Sequence, residues 1–221
     1  MMFPNWAKQI LFLLVYMISG LVLVVIIEGL LTGTELMPLN TVIEQVVVRV
    51  RTPFLTTLMV SITRLGNPAI LLSVAALVIG LFLVRRRPHD AFLFATALIV
   101  AVISLTVLKN TFQIIRPHSE FLDFDGWSFP SGHATTATTF FFMLSYLFFN
   151  RMKTLSGKVA LILGSVVAAG LIGFSRLYLG AHWALDILAG VALGLLSVSF
   201  TVLIFSIFIR DRRLLKDSMS R

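Results

Sequence analysis

Long apolar stretches separated by short polar segments are the first constraint this chain imposes. Crossing about 30 Å of hydrocarbon as a helix takes about 17 to 25 predominantly apolar residues. Runs of that kind occur six times, over Ile10–Leu31, Pro68–Val84, Ala91–Leu108, Ser131–Phe149, Val159–Phe174 and Leu185–Ile209. Inside a bilayer each backbone N–H and C=O must be satisfied within its own segment, so spans of this length read as helices. The pattern predicts an all-α membrane protein with six transmembrane helices, one domain over residues 1–221, and a short basic tail from about Arg210. The first run, interrupted from Ile10 to Ile27 only at Ser19 and Gly20, exceeds a signal-peptide core, lacks a clear small-residue cleavage site and reads as a retained helix.

Between the first two runs the periodicity changes. From Thr41 to Arg51, Val42, Ile43, Val46, Val47 and Val50 form one helical stripe, with Glu44, Gln45, Arg49 and Arg51 mostly away from it. That predicts a short amphipathic helix lying on the outer surface. A similar short surface helix is expected over Pro53–Leu65, ended by the turn signal Gly66, Asn67 and Pro68.

Composition supports the membrane reading. Hydrophobic residues make up 58% of the chain, charged residues 13%, and mean hydropathy is +0.98, well beyond a soluble domain of 221 residues. With no cysteine, disulfides, thiolate metal sites and a cysteine nucleophile are excluded. The net charge of +8 would suggest nucleic acid in a soluble protein, but these cations sit in the loops between spans, where they set topology and meet lipid headgroups.

Six spans put both termini on one side. Twelve cations fall there (Lys8, Arg85, Arg86, Arg87, Arg151, Lys153, Lys158, Arg210, Arg212, Arg213, Lys216 and Arg221) against six on the other (Arg49, Arg51, Arg64, Lys109, Arg116 and Arg176). The positive-inside bias makes the first side cytoplasmic, in a multi-pass protein of the cell membrane.

Three polar blocks then share the outer face. Lys109 and Arg116 lie seven residues apart, so a third helix extended past the bilayer would carry both on one face, about 10 Å apart, with Pro117 ending the rod. Pro130, Ser131, Gly132 and His133 read as a helix start whose cap and free N–H groups form an anion cradle. Ser175, Arg176, His182 and Asp186 follow; His182 and Asp186 are four apart on a helix, so the Asp186 carboxylate can accept the proton on one His182 ring nitrogen, freeing the other to attack. A carboxylate near the outer edge of a span needs a partner, and His182 is the nearest.

Three cations, two imidazoles and one carboxylate suit removal of a phosphoryl group through a histidine intermediate. A metal site is the weaker reading: the cations repel a divalent ion, no block holds a third histidine, and no cysteine completes a tetrahedron. His118, Glu120, Asp123 and Asp125 read as solvated loop polarity, and His89, beside Arg87 and Pro88, falls on the cytoplasmic side.

These blocks resemble the signature of the type 2 phosphatidic acid phosphatase superfamily: Lys, six residues, Arg-Pro; Pro-Ser-Gly-His; Ser-Arg, five residues, His, three residues, Asp. All eleven fixed positions are present, at Lys109, Arg116, Pro117, Pro130, Ser131, Gly132, His133, Ser175, Arg176, His182 and Asp186. The resemblance implies that His182 is the nucleophile, Asp186 its orienting partner and His133 the acid that protonates the leaving oxygen. Lys109, Arg116 and Arg176 would hold the phosphate with Ser131 and Gly132, without a metal or other cofactor. Six hydrophobic spans set aside the family's soluble haloperoxidase and acid phosphatase branches. The implied substrate is a membrane lipid phosphate or pyrophosphate: undecaprenyl pyrophosphate first, then phosphatidylglycerophosphate or phosphatidic acid. A phosphotransferase and a lipid transporter without chemistry are the competing readings, the second leaving His182 and Asp186 unexplained.

Overall fold

The computed structural model describes residues 5–33, 36–117, 121 and 126–219, with backbone alone for 5, 36–37 and 208–219. Its elements are α1 (Asn5–Thr32), α2 (Leu36–Arg49), α3 (Pro53–Leu65), α4 (Pro68–Val84), α5 (Pro88–Phe112), α6 (Gly132–Phe149), α7 (Leu155–Tyr178) and α8 (Ala184–Met219). No strand occurs among the described residues. Local chemistry starts these helices where the chain needs them. Thr52, Asn67 and Thr154 cap α3, α4 and α7 through side-chain oxygens, and proline at the start of α3, α4 and α5 gives up an N–H that no helix would use there.

α3 and α4 form one rod bent by 45°, and contacts between helices mark the two ends of the bundle. At one end Lys8 Nζ reaches Asn150 Oδ1 at 3.3 Å, Gln9 Nε2 reaches Ser206 Oγ at 3.4 Å, and Arg151 lies 3.7 Å from Asp90. At the other end Ile26, Phe129, Leu185 and Ala189 form a buried cluster with Phe112 and Ile114 packed on it.

α6 occupies the centre, packed against α4, α5, α7 and α8. Its contact with α8 depends on two glycines one turn apart. A Cβ at Gly190 would stand 2.7 Å from the Ser131 carbonyl oxygen, and one at Gly194 would stand 2.7 Å from Thr138 Cβ. Absent those methyl groups, the two backbones approach closely, the packing that small residues allow between helices in lipid. A buried clasp joins α6 to α7, where Ser145 Oγ and Ser165 Oγ lie 2.6 Å apart.

Several sequence expectations are met in part or corrected. Among the described residues four helices are long and apolar enough to cross a membrane (Trp6–Thr32, Pro88–Phe112, Leu155–Tyr178 and Ala184–Ile207), or five if the bent α3–α4 pair counts as one span, so the six expected spans are met in part. α6 falls short because His133, Thr135, Thr136, Thr138 and Thr139 crowd its first half, where neighbouring helices bury the four threonines away from lipid. α3 is not a helix simply lying on the outer surface. It packs on α7 with Met59 and Thr63 buried and meets α4 at 45°, where Gly66 sits so close under Ile172 that a Cβ would come within 2.6 Å.

The first amphipathic helix begins earlier than expected and divides its stripe. Val47, with Ile43 beside it, packs on Met59, Tyr178 and Leu179, while Val42, Val46 and Val50 stay exposed. The expected tail from Arg210 continues α8 as helix through Met219.

Candidate active site

The first polar block is brought together by a helix end rather than by a helix face. α5 stops at Phe112, and Gln113, in the left-handed conformation (φ 47°, ψ 40°), turns the chain into a non-helical segment that carries Arg116. Lys109 and Arg116 therefore do not share one rod, as the spacing had suggested, yet they converge. Lys109 Nζ donates to the Trp127 carbonyl at 2.5 Å, and Arg116 Nε donates to the Gly126 carbonyl at 2.9 Å. The segment they hold is also fixed by Ser128 N–H donating to the Ile114 carbonyl at 2.7 Å.

The second block forms as its sequence predicts. Ser131 caps α6, accepting from the Ala134 N–H at 3.5 Å, and its own N–H donates to the Asp186 carbonyl at 3.0 Å. Gly132 is half-buried, and a Cβ there would meet ordinary contacts, Leu105 at 3.5 Å and Pro68 at 3.9 Å. His133 hydrogen-bonds the Thr63 backbone and lies within the electrostatic reach of Arg176, His182 and Arg116.

The third block differs from expectation in one respect: His182 and Asp186 are not on one helix. His182 lies in the turn after α7, beyond Gly180 (φ 66°), whereas Asp186 is the third residue of α8. The Asp186 carboxylate reaches back to accept the Trp183 N–H at 2.9 Å, the reciprocal half of a capping box, and Asn40 Oδ1 accepts the Leu185 N–H at 3.1 Å. His182 and Asp186 still meet, Nδ1 to Oδ2, at 3.4 Å, both 2% exposed.

On the far side of the ring Nε2 faces Arg116 Nη1 at 3.1 Å, and that same nitrogen donates to the Ala181 carbonyl at 2.8 Å. Arg176, buried at the end of α7, donates from Nη1 to Thr63 Oγ1 at 3.0 Å. Burial pushes the His182 imidazole down to about 4, more than the Asp186 hydrogen bond and charge restore, with Arg116 and Arg176 pushing the same way as burial. The ring is neutral at physiological pH, as a nucleophile requires.

All eight residues singled out by sequence (Lys109, Arg116, Ser131, Gly132, His133, Arg176, His182 and Asp186) thus gather at one end of the bundle. Ser128 and Thr63 were missed. Ser128 is fully buried, donates to Asp186 Oδ2 and stands 3.3 Å from His182 Nδ1. Thr63 holds Arg176 and His133 from a helix that reads as surface. His118, Glu120, Asp123 and Asp125 lie outside the described residues. His89 sits at the opposite end, beside Asp90 and Phe205. Among the described residues no three His, Asp or Glu side chains cluster as metal ligands would.

Residues 69–210 match the PAP2 superfamily model, which covers most of the chain. This chain belongs to the PAP2 superfamily. It is a multi-pass membrane protein and a hydrolase of the PAP2 lipid phosphatase type, as the resemblance of its three blocks implied. Phosphatidylglycerophosphatase B of Bacillus subtilis is 31% identical over 157 residues, 70% of this chain and 77% of that protein. A putative undecaprenyl-diphosphatase of Escherichia coli is 31% identical over 127 residues, 55% of this chain and 60% of that protein. The crystal structure of the transmembrane PAP2-type phosphatidylglycerolphosphate phosphatase of Bacillus subtilis superposes with a TM-score of 0.74 at 28% identity, covering 90% of this chain and 96% of the other.

Proposed function

We propose that this PAP2 protein removes a phosphoryl group from a membrane lipid phosphate or pyrophosphate on the extracytoplasmic face, through a phosphohistidine on His182. The observation that carries the reading is the buried His182 ring, with Nδ1 turned to Asp186 and Nε2 turned to the cations. In the first step the Nε2 lone pair bonds to phosphorus while the bond to the leaving oxygen breaks and His133 gives that oxygen its proton. In the second step His133 takes a proton from water as the water oxygen bonds to phosphorus and the P–N bond breaks, releasing inorganic phosphate and free His182. Lys109, Arg116 and Arg176, with Ser131 and Gly132 at the start of α6, hold the phosphoryl oxygens, whose charge spreads in the transition state.

Undecaprenyl pyrophosphate is the foremost substrate in this reading, because three cations and a helix N-terminus on one end suit the charge of a diphosphate. Phosphatidylglycerophosphate is the second, favoured by the likeness over 90% of the chain to the Bacillus subtilis enzyme. We read all six traversals as membrane crossings of a single domain, α6 being shielded by its neighbours and α3–α4 forming one broken span. The cationic end with Lys8, Arg85, Arg86, Arg87 and Arg151 would face the cytoplasm.

The test is phosphate release from a panel of lipid phosphates with a chelator present, with undecaprenyl pyrophosphate and phosphatidylglycerophosphate competing in one assay. Activity that survives chelation and drops to background in His182→Ala is expected. Complete loss on chelation, or an active His182→Ala protein, would overturn the mechanism, and a product phosphorylated on an added alcohol would show phosphotransfer in place of hydrolysis.

A further inference from the structure

We propose that Ser128 is a positioning residue for this reaction: its buried hydroxyl bridges Asp186 to His182 and fixes which ring nitrogen carries the proton. The inference rests on the reading of His182 as nucleophile. The direct separation of His182 Nδ1 from Asp186 Oδ2, 3.4 Å, is long for an N–H···O bond, whose usual length is about 2.9 to 3.0 Å. The Ser128 hydroxyl lies beside both atoms, donating to Asp186 Oδ2 and within hydrogen-bond distance of Nδ1 at 3.3 Å.

A hydroxyl has one proton and two lone pairs. With its proton committed to the carboxylate, Ser128 meets Nδ1 as an acceptor, so Nδ1 carries the hydrogen. The opposite side of the ring agrees independently. Arg116 Nη1, which can only donate, is 3.1 Å from Nε2, so Nε2 presents its lone pair. Both contacts select the same tautomer, the one that attacks through Nε2. As Nε2 bonds to phosphorus and the ring gains positive charge, the bridge links that charge to Asp186.

The position of Ser128 is secured by the phosphate-site cations themselves. Its N–H is held by Ile114 at 2.7 Å, Lys109 Nζ contacts the Trp127 and Ser128 carbonyls at 2.5 and 3.5 Å, and Arg116 holds Gly126. The hydroxyl is thereby aimed by the backbone.

Ser128→Val and Ser128→Thr, equal in size and differing in the hydroxyl, separate hydrogen bonding from packing. The valine variant is expected to lower kcat about 10- to 100-fold with KM nearly unchanged, the scale of losing a partner that orients a reactive histidine, while threonine restores most of the rate. Ring-nitrogen NMR of the histidines should show His182 protonated at Nδ1 in the native protein and a mixture of tautomers in Ser128→Val; with only four histidines in the chain, His182→Ala assigns the signal. Equal rates for valine and threonine, or an unchanged His182 ring signal in the valine variant, would overturn the proposal. If bulk at this position disturbs folding, Ser128→Ala gives the same two readouts. The NMR measurement needs no substrate, so it tests Ser128 separately, whereas an active His182→Ala protein would remove the nucleophile reading.

Discussion

Asp90 and Asp186 lie at opposite ends of the bundle, each beside a histidine and within reach of arginines, yet the two ends are built for different purposes. Asp90 is 23% exposed and takes Arg87 and Arg151 directly, while the Arg87 guanidinium lies over Phe82 at 4.6 Å and Phe148 at 5.7 Å. Opposite charges cancel there, and the knot ties the start of α5 to the turn after α6. Asp186 is 2% exposed and turns to His182, Ser128 and the Trp183 N–H, while Arg116 bonds to two carbonyls and the imidazole, and Arg176 bonds to Thr63. Asp186 directs its acceptors to an imidazole, a hydroxyl and a backbone N–H, where Asp90 directs its own to guanidiniums. The same residue types thus make a fastening at one end and the site proposed for phosphate at the other, according to what each carboxylate turns to.

The largest effect expected from this contrast is on rate. Arg176→Ala should lower kcat/KM about 100- to 1,000-fold, the scale of removing one preorganised donor to transition-state charge. Arg151→Ala at the opposite end should leave hydrolysis unchanged and cost at most about 1 kcal/mol of stability, as for a solvent-exposed ion pair. Comparable losses in both, in a steady-state assay, would erase the distinction between the ends.

Packing gives a second comparison. Gly190→Ala would drive a methyl group against the Ser131 carbonyl, 2.7 Å away, and displace the cap of α6. Overpacking of about 1 to 3 kcal/mol at that point predicts about a 10- to 100-fold fall in kcat. Gly164→Ala on α7, where a Cβ would meet nothing within 4 Å, should keep full activity. Equal activity of the two variants would show that the cradle tolerates movement.

The smallest effect is in pH. Because burial lowers His182 from the ordinary 6.5 to about 4, kcat/KM should hold through mild acid on its account and fall about tenfold per unit only below about pH 4. Stability follows with the sign of a lowered pKa. The unfolded ring binds a proton that the folded ring refuses, so this contribution is complete above about pH 6.5 and declines as pH falls toward 4. Thermal unfolding in detergent across that range, compared with His182→Ala, measures it; an unfolding temperature difference independent of pH would contradict the assignment.

The legible part of this molecule was the part encoded locally. Apolar length marked the helices, Gly66-Asn67-Pro68 marked the break before α4, and Pro130-Ser131-Gly132 marked the start of α6, because caps and turns depend on a few consecutive residues. The three blocks were legible by composition and spacing. Their local geometry was less so: Arg116 leaves the helix of Lys109, and His182 precedes the helix of Asp186, because Gln113 and Gly180 redirect the backbone at points that spacing alone does not reveal. Ser128, Thr63 and Asn40 were invisible for a different reason. Each acts on a residue far away in sequence, Asn40 on Leu185 and Thr63 on Arg176, and nothing around a lone serine, threonine or asparagine announces a tertiary partner. α6 is a third case: a scan for apolar length picks it out, yet its polar first half is buried by the helices that surround it rather than marked by its own apolarity.

The central claim is that phosphorus is bonded to His182 between the two chemical steps. Mixing the protein with lipid carrying a radiolabelled terminal phosphate, quenching in alkali and sequencing the labelled peptide tests it most directly. Label is expected on the peptide containing His182, stable to alkali, released by acid and missing from His182→Ala. Turnover with no label on that peptide under conditions that trap the intermediate, or label on any other residue, would contradict it.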